Sequence, residues 1–382
     1  MRLIGLIGLM SLVACSSDNA PGEDTPTPLT PTETAISFNS GLNDGADISR
    51  SEGFETTGVT SFKVWAYKNM SYENGSYGDL QTVIPGYTVN YVANSANSST
   101  SNTNNWEYVG QGADQTIKYW DWSAKAYRFF GVAETPTGPN KANTANGANE
   151  PNGPYEVSLT VDASSDDGIA ATPYYSHLWF STGNTTNYPD KQFGKPVKLE
   201  FLKPFAQVRF MFTFVPELQE LGTDRTKLSD ISFKPTDNSK KIANQGTVTI
   251  RYLLTGAETE ETWESTATAT GYFDAFVIDY YDENTTYTPK DALPTSYPNS
   301  PEHYYYVLPV KTQGSYTLSA IVVGGLPKTC VVPAEYMSWE PGYQYTYIFK
   351  ITESGGIKLD EIQVGINDWV VKERIEHPVY NW

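Results

Sequence analysis

Apolar and polar residues alternate with a period of two along most of the chain from Ile36 onward. In FKVWAY, Phe62, Val64 and Ala66 alternate with Lys63, Trp65 and Tyr67. In YTLSAIVV, Tyr316, Leu318, Ala320 and Val322 fall on one face, as do Tyr345, Tyr347, Phe349 and Ile351 in YTYIFKI. Successive side chains of an extended chain point to opposite faces, so this pattern predicts strands with one buried face. The residues concerned are those that fit a pleated surface. Gly, Asn, Pro and Asp punctuate the runs at short intervals. No long stretch carries a helical period, and Pro216–Leu221 has room for one short helical turn. The expectation is an all-β chain built as sandwiches.

One run changes parity. In VKLEFLKPFAQVRFMFTF the apolar face holds Val197, Leu199 and Phe201, then resumes on Val208, Phe210, Phe212 and Phe214. The change falls across Leu202–Ala206, which contains Pro204. An extra residue there predicts a bulge or bend, and a strand so bent can cross between sheets. It also suits the last strand of a first domain. The polar segment Pro216–Ser229 then reads as a boundary, with domains at 35–216 and 217–382. The Asn/Ser/Thr-rich stretch Asn94–Asn105 and the stretch Thr135–Gly153 read as long surface loops without a core of their own.

The first residues have a different pattern. Met1–Ala14 holds one early charge, Arg2, followed by an apolar run too short to span a bilayer. That is the layout of a secretory signal, here residues 1–14. Leu12-Val13-Ala14-Cys15 resembles the lipobox of bacterial lipoproteins, in which the chain is cut before the cysteine and the sulfur is acylated. An ordinary signal followed by a chance cysteine is the other reading. Residues 15–34 contain four prolines and almost nothing apolar, which predicts a disordered tether. At ~3 Å per residue it reaches roughly 60 Å. The only other cysteine, Cys330, then has no partner and reads as a small buried apolar residue.

Charge and chemistry narrow the function classes. The chain has 26 basic and 44 acidic residues, a net charge of −18. Phosphate binding needs a basic footprint, so nucleic acid is not an expected partner. His177, His303 and His377 lie far apart and form no metal-ligand spacing. Neither a nucleophile elbow nor a phosphate-cradling glycine loop is present. Asp162–Gly168, DASSDDG, offers oxygen ligands, but Asp167 stands where a calcium loop needs glycine and Pro173 where it needs its last Glu. It reads as a polar turn. No catalytic, cofactor-binding or metal-binding residues are assigned, and an enzyme is not expected. The aromatic-rich segment Tyr119–Glu134 offers rings for sugar stacking, but Tyr127, Phe129 and Phe130 read as core.

Taken in order, several segments resemble the fimbrillin family, the pilin-like lipoproteins of Bacteroides-type bacteria. They are the lipobox at Leu12–Cys15, AISFNSG followed by Arg50, KVWAY, YW…YRFFGVAE, VKLEFLKPFAQVRF, and SWEPGYQYTYIFKITESGGIKLDEIQVGINDW. Lys203 stands where the family often has His or Arg. The resemblance implies two tandem transthyretin-like Greek-key β-sandwich domains. It also implies lipidation at Cys15, an outer-membrane location exposed at the surface, and a cut after an arginine, here Arg50. Loss of the first strand, Ala35–Asn39 with Ile36 and Phe38 facing the core, would open a groove for a C-terminal strand of another subunit. The donor candidates are Val371, Ile375 and Val379 in the tail, where Pro378, Glu373 and His377 depart from an ideal donor. An ordinary surface arginine is the other reading of Arg50, and the tail can instead be a strand of its own domain. The implied partners are other fimbrial subunits and a host or bacterial surface receptor. The alternative is a monomeric glycan-binding surface lipoprotein.

Overall fold

The computed structural model describes residues 33–40, 60–133, 143–145, 155–183, 191–215, 228–257, 263–278, 305–311, 314–322, 325–365 and 371–376. Within them the regular secondary structure is almost all strand. The series opens with β1 (Phe38–Ser40), β2 (Ser61–Glu73), β3 (Ser76–Tyr91), β4 (Trp106–Glu107) and β5 (Ala126–Ala133). β6 (Asn143–Ala145) and β7 (Tyr155–Asp162) lead to a short helix, α1 (Asp166–Ala171). Then come β8 (Tyr174–Ser176), β9 (Trp179–Ser181), β10 (Val197–Leu199), β11 (Phe201–Leu202) and β12 (Ala206–Phe214). β13 (Leu228–Pro235), β14 (Ile242–Tyr252), β15 (Gly256–Ala257), β16 (Trp263–Phe273), β17 (Phe276–Ile278) and β18 (Tyr305–Val307) follow. The last are β19 (Tyr316–Val322), β20 (Pro327–Val332), β21 (Gln344–Ile351), β22 (Ile357–Gly365) and β23 (Val371–Glu376).

These strands make stacked sheets around three main cores. In the first, one face of β2, β3 and β5 packs on β1 and β10, burying Phe62, Val64, Ile84 and Phe129 against Ile36, Phe38 and Val197. In the second, the sheet β18-β12-β21-β22-β23 faces the sheet β17-β13-β19-β20 around Phe210, Phe233, Tyr316 and Tyr347. The third lies between the opposite face of β2 and β5 and the sheet β16-β14-β7-β6. It buries Tyr67, Phe130, Leu159, Val248 and Tyr252. The Phe130 and Tyr252 rings stack there at 4.1 Å. This third core explains why Tyr67, expected on an outward face, is buried. It also brings distant parts of the chain together: β7 pairs with β14 from Tyr155↔Tyr252 to Asp162↔Gln245, across the boundary expected at 216/217. Residues Thr34–Trp382 form one compact unit.

The change of parity proves to be a passage between sheets. Val197, Leu199 and Phe201 serve the first core, Phe205 the third, and Val208, Phe210, Phe212 and Phe214 the second. β12, expected to close a first domain, thus packs with the C-terminal strands, because β21 lies parallel to it from Gln207↔Gln344 to Phe214↔Ile351. The bend is clamped by the Pro341–Tyr343 turn. The Gly342 amide donates to the Phe205 carbonyl, and the Gln207 amide to the Tyr343 carbonyl, each at 2.9 Å. The Tyr175 hydroxyl donates to the Pro341 carbonyl at 2.9 Å. Gly342 has φ +80°, and a Cβ there would sit 2.9 Å from Leu202 Cδ1, so the turn requires glycine.

Three local expectations change. The polar turn at Asp162–Gly168 runs into α1, which Ser165 caps by accepting from the Gly168 amide at 3.2 Å. Lys203, only 3% exposed, donates to the carbonyls of Ile169, Ala170 and Thr172 at the other end of α1. Its ammonium also lies 4.0 Å from the Tyr174 ring centre. Burial pulls its pKa down to about 7, while the carbonyls and the ring face favour the charged form. Part of the loop expected at Thr135–Gly153, Asn143–Ala145, is a strand on β7. Finally, the Asn94–Asn105 loop is organised around Glu107. That carboxylate accepts from the Ser99 and Ser101 hydroxyls and from the Tyr108 and Val109 amides. Burial works to raise the Glu107 pKa, and these donors outweigh it and hold the carboxyl below its usual range. The helical turn considered at Pro216–Leu221 lies outside the described residues.

Candidate functional site

The N-terminal segment Thr34–Ser40 fills a groove in the first core. Its first half pairs with the chain before β5. The Trp120 amide donates to the Thr34 carbonyl at 3.0 Å, and the Ile36 amide to the Lys118 carbonyl at 2.8 Å. Its second half changes partner. The Val197 amide donates to the Ser37 carbonyl at 2.8 Å, and Phe38–Ser40 run parallel to Val197–Leu199. The segment therefore bridges two elements that are otherwise edges to each other.

The side chains explain its depth. Ile36 and Phe38 are both 0% exposed, as their place on alternate positions predicts. Phe38 meets Phe62, Tyr108 and Phe129 edge-on at 6.0, 5.7 and 6.2 Å. Full burial of such side chains contributes roughly 1.5–3 kcal/mol each. Between them, the Ile36 carbonyl accepts from the Tyr108 hydroxyl at 3.0 Å. That hydroxyl in turn accepts from the Lys118 amide at 3.0 Å. Burial raises the Tyr108 pKa, so the group stays a neutral donor. At Ser37, the hydroxyl accepts from Thr103 at 3.0 Å, which ties the Glu107-centred loop to the strand.

Beside Trp120, the Lys68 ammonium meets the Asp121 carboxylate at 2.5 Å. That contact, helped by the Ser123 hydroxyl, pulls the Asp121 pKa down to about 2. The Asp121 amide donates to the Tyr127 hydroxyl at 2.7 Å. Tyr127, Phe129 and Phe130 are buried, as expected of core residues, and so is Trp120, whereas Tyr119 and Trp122 are exposed. The groove is thus a packing and hydrogen-bonding site. Among the described residues, no group of three His, Cys, Asp or Glu side chains is placed to hold a metal ion.

The other site residues expected from the sequence are placed as follows. Cys15 and Arg50 lie outside the described residues, as do Val379, His303 and His377. Val371 and Ile375 lie in β23, which pairs antiparallel with β22 at Gly365 and Ile362 and forms the edge of its sheet. The described tail is therefore a strand of its own sheet, away from the groove elements in the pairing order. Cys330 is half-buried against the second core, and burial pushes its thiol up. Among the described residues, no helix is long and apolar enough to cross a membrane. Tyr108, Thr103 and Lys118 had no signal in the sequence: their role depends on which backbone groups the strand brings to them.

Comparison with solved structures gives distant likenesses. A candidate cell adhesion protein of Bacteroides uniformis is 12% identical, with a TM-score of 0.38, covering 88% of this chain and 100% of that one. A fimbrial assembly protein of Parabacteroides distasonis is 12% identical at 0.30, covering 84% and 91%. A candidate polysaccharide-binding protein of Bacteroides thetaiotaomicron is 10% identical at 0.32, covering 91% and 98%. Comparison with curated proteins gives no match. The family models are decisive: residues 49–369 match the one described as fimbrillin-like. The chain belongs to the fimbrillin-like family.

Proposed function

We propose that this chain is a cell-surface fimbrial subunit or adhesin that polymerises by strand exchange. The reading rests on one observation: the segment N-terminal to Arg50 places Ile36 and Phe38, fully buried, in a groove between two backbone edges. In this scheme Cys15 carries the lipid that holds the unassembled subunit at the outer membrane. Two acyl chains make such anchoring stable. A cut after Arg50 severs the covalent link between Thr34–Ser40 and β2. The freed segment then leaves by dissociation alone, and the groove it vacates offers unpaired backbone groups and apolar pockets. An extended strand of another subunit supplies both kinds of contact. If the donor is the tail, Val371–Glu376 must first leave β22.

The test is the intact mass of the protein taken from the native cell surface. Chains beginning at Ser51 are the expected product in assembled fibres. Chains that all begin at lipidated Cys15 and retain Ala35–Asn39 would overturn exchange and leave an anchored monomer.

A further inference from the structure

A cleft of about 570 Å³ opens beside the sheet β16-β14-β7-β6, remote in sequence from the groove. Its floor is small and apolar, with Ala267 and Ala269 of β16 and Val310. Its rim is polar, with Lys240 and Lys241 ahead of β14 and Tyr272 in β16. Tyr272 is 54% exposed, and its hydroxyl donates to the Ala269 carbonyl at 3.4 Å, which ties the ring to the wall.

The nearby acids are already engaged. Asp274 pairs with Lys241 at 3.0 Å. The Asp237 carboxylate accepts from the Ser239 amide at 3.0 Å and its hydroxyl at 2.7 Å. Lys240 makes no ion pair within 4 Å among the described residues, but its charge adds to the Ser239 hydrogen bonds in holding the Asp237 carboxyl below its usual range. The chain as a whole carries −18, whereas at this cleft Lys240 and Lys241 balance Asp237 and Asp274, so the rim is neutral. A few polar groups around an apolar floor are the usual make-up of a small-ligand site. An aromatic face attracts the C–H edge of a ring laid on it. An ammonium selects a carboxylate by a charge-assisted hydrogen bond.

We infer that this cleft binds a carboxylate-bearing pyranose, with the sugar ring against Tyr272 and the carboxylate at Lys240. Sialic acids and uronic acids both present that chemistry. Binding does not require strand exchange, so the mass measurement above and the following one fail independently.

The experiment is calorimetric titration of the full chain with 3′-sialyllactose, with tri-galacturonic acid and with neutral lactose, at low and high salt. Binding of at least one acidic probe but not of lactose is expected, weakened by salt. Which acidic probe binds identifies the source. Lys240→Gln and Tyr272→Ala should each weaken binding about tenfold or more, and Lys240→Arg should retain it. Both positions are at the surface, and unchanged thermal unfolding of each variant verifies its fold. Three results overturn the inference: no binding of either acidic probe, equal binding of lactose, or unchanged binding by Lys240→Gln. Tighter binding of a glutamate-rich peptide than of either sugar also overturns it, in favour of a protein ligand.

Discussion

Tyr108 joins the N-terminal strand to the body: its hydroxyl donates to the Ile36 carbonyl and accepts from the Lys118 amide, each at 3.0 Å. One buried side chain thus satisfies a group on each side of the groove. Tyr108→Phe leaves the Ile36 carbonyl without that donor. The expected loss is about 1–3 kcal/mol, with faster hydrogen exchange at the Ile36 amide. Unchanged exchange there would show that the hydroxyl does not hold the strand.

Phe38 tests the apolar part of the same groove. Phe38→Ala removes a ring packed on Phe62, Tyr108 and Phe129. Urea unfolding of the intact chain should register a loss of about 3–5 kcal/mol. A loss below about 1 kcal/mol would mean that the strand is only loosely seated.

Asp121 predicts a pH dependence. Its folded-state pKa, about 2, lies below the ordinary 3.8, chiefly through Lys68. The unfolded chain therefore takes up the proton first as pH falls. The stabilisation is whole above about pH 4 and is lost as pH drops toward about 2. Lys68→Met should flatten this part of the acid-unfolding profile. An identical profile in the variant would count against the pairing.

The third core joins strands from both halves of the chain, which predicts a single cooperative unfolding transition. Gly246, where β14 shifts register, has φ +155°, and a Cβ would meet the Thr268 carbonyl oxygen at 2.2 Å and Leu308 Cδ2 at 2.8 Å. Gly246→Ala should destabilise by more than about 2 kcal/mol. Scanning calorimetry should show one transition in both parent and variant, at lower temperature in the variant. Two separable transitions in the parent would mean that the shared sheet does not couple the sandwiches.

Much of this architecture was legible as periodicity. Phe62, Val64 and Ala66, and likewise Tyr316, Leu318, Ala320 and Val322, are buried as their alternation requires. The parity change before Ala206 announced a real passage between sheets. What could not be read was long-range pairing, because register between β7 and β14 depends on contacts some ninety residues apart, not on local pattern. That pairing covers the second face of β2 and buries Tyr67. Lys203 was invisible for a related reason, since its partners are main-chain carbonyls that exist only once α1 has formed. In the candidate site, the strand holding Ile36 and Phe38 came with the family resemblance, whereas Tyr108 and Thr103 answer to backbone and hydroxyl groups that the sequence does not bring near them.

The parallel register of β12 and β21 has a mechanical consequence. Tension entering through the chain before β12 and leaving through the chain after β21 pulls the two strands along their length in opposite directions. The ladder from Gln207↔Gln344 to Phe214↔Ile351 is then loaded in shear, so its hydrogen bonds resist together and do not open one by one. Pulled in that direction, the second sandwich yields only when this ladder breaks as a unit.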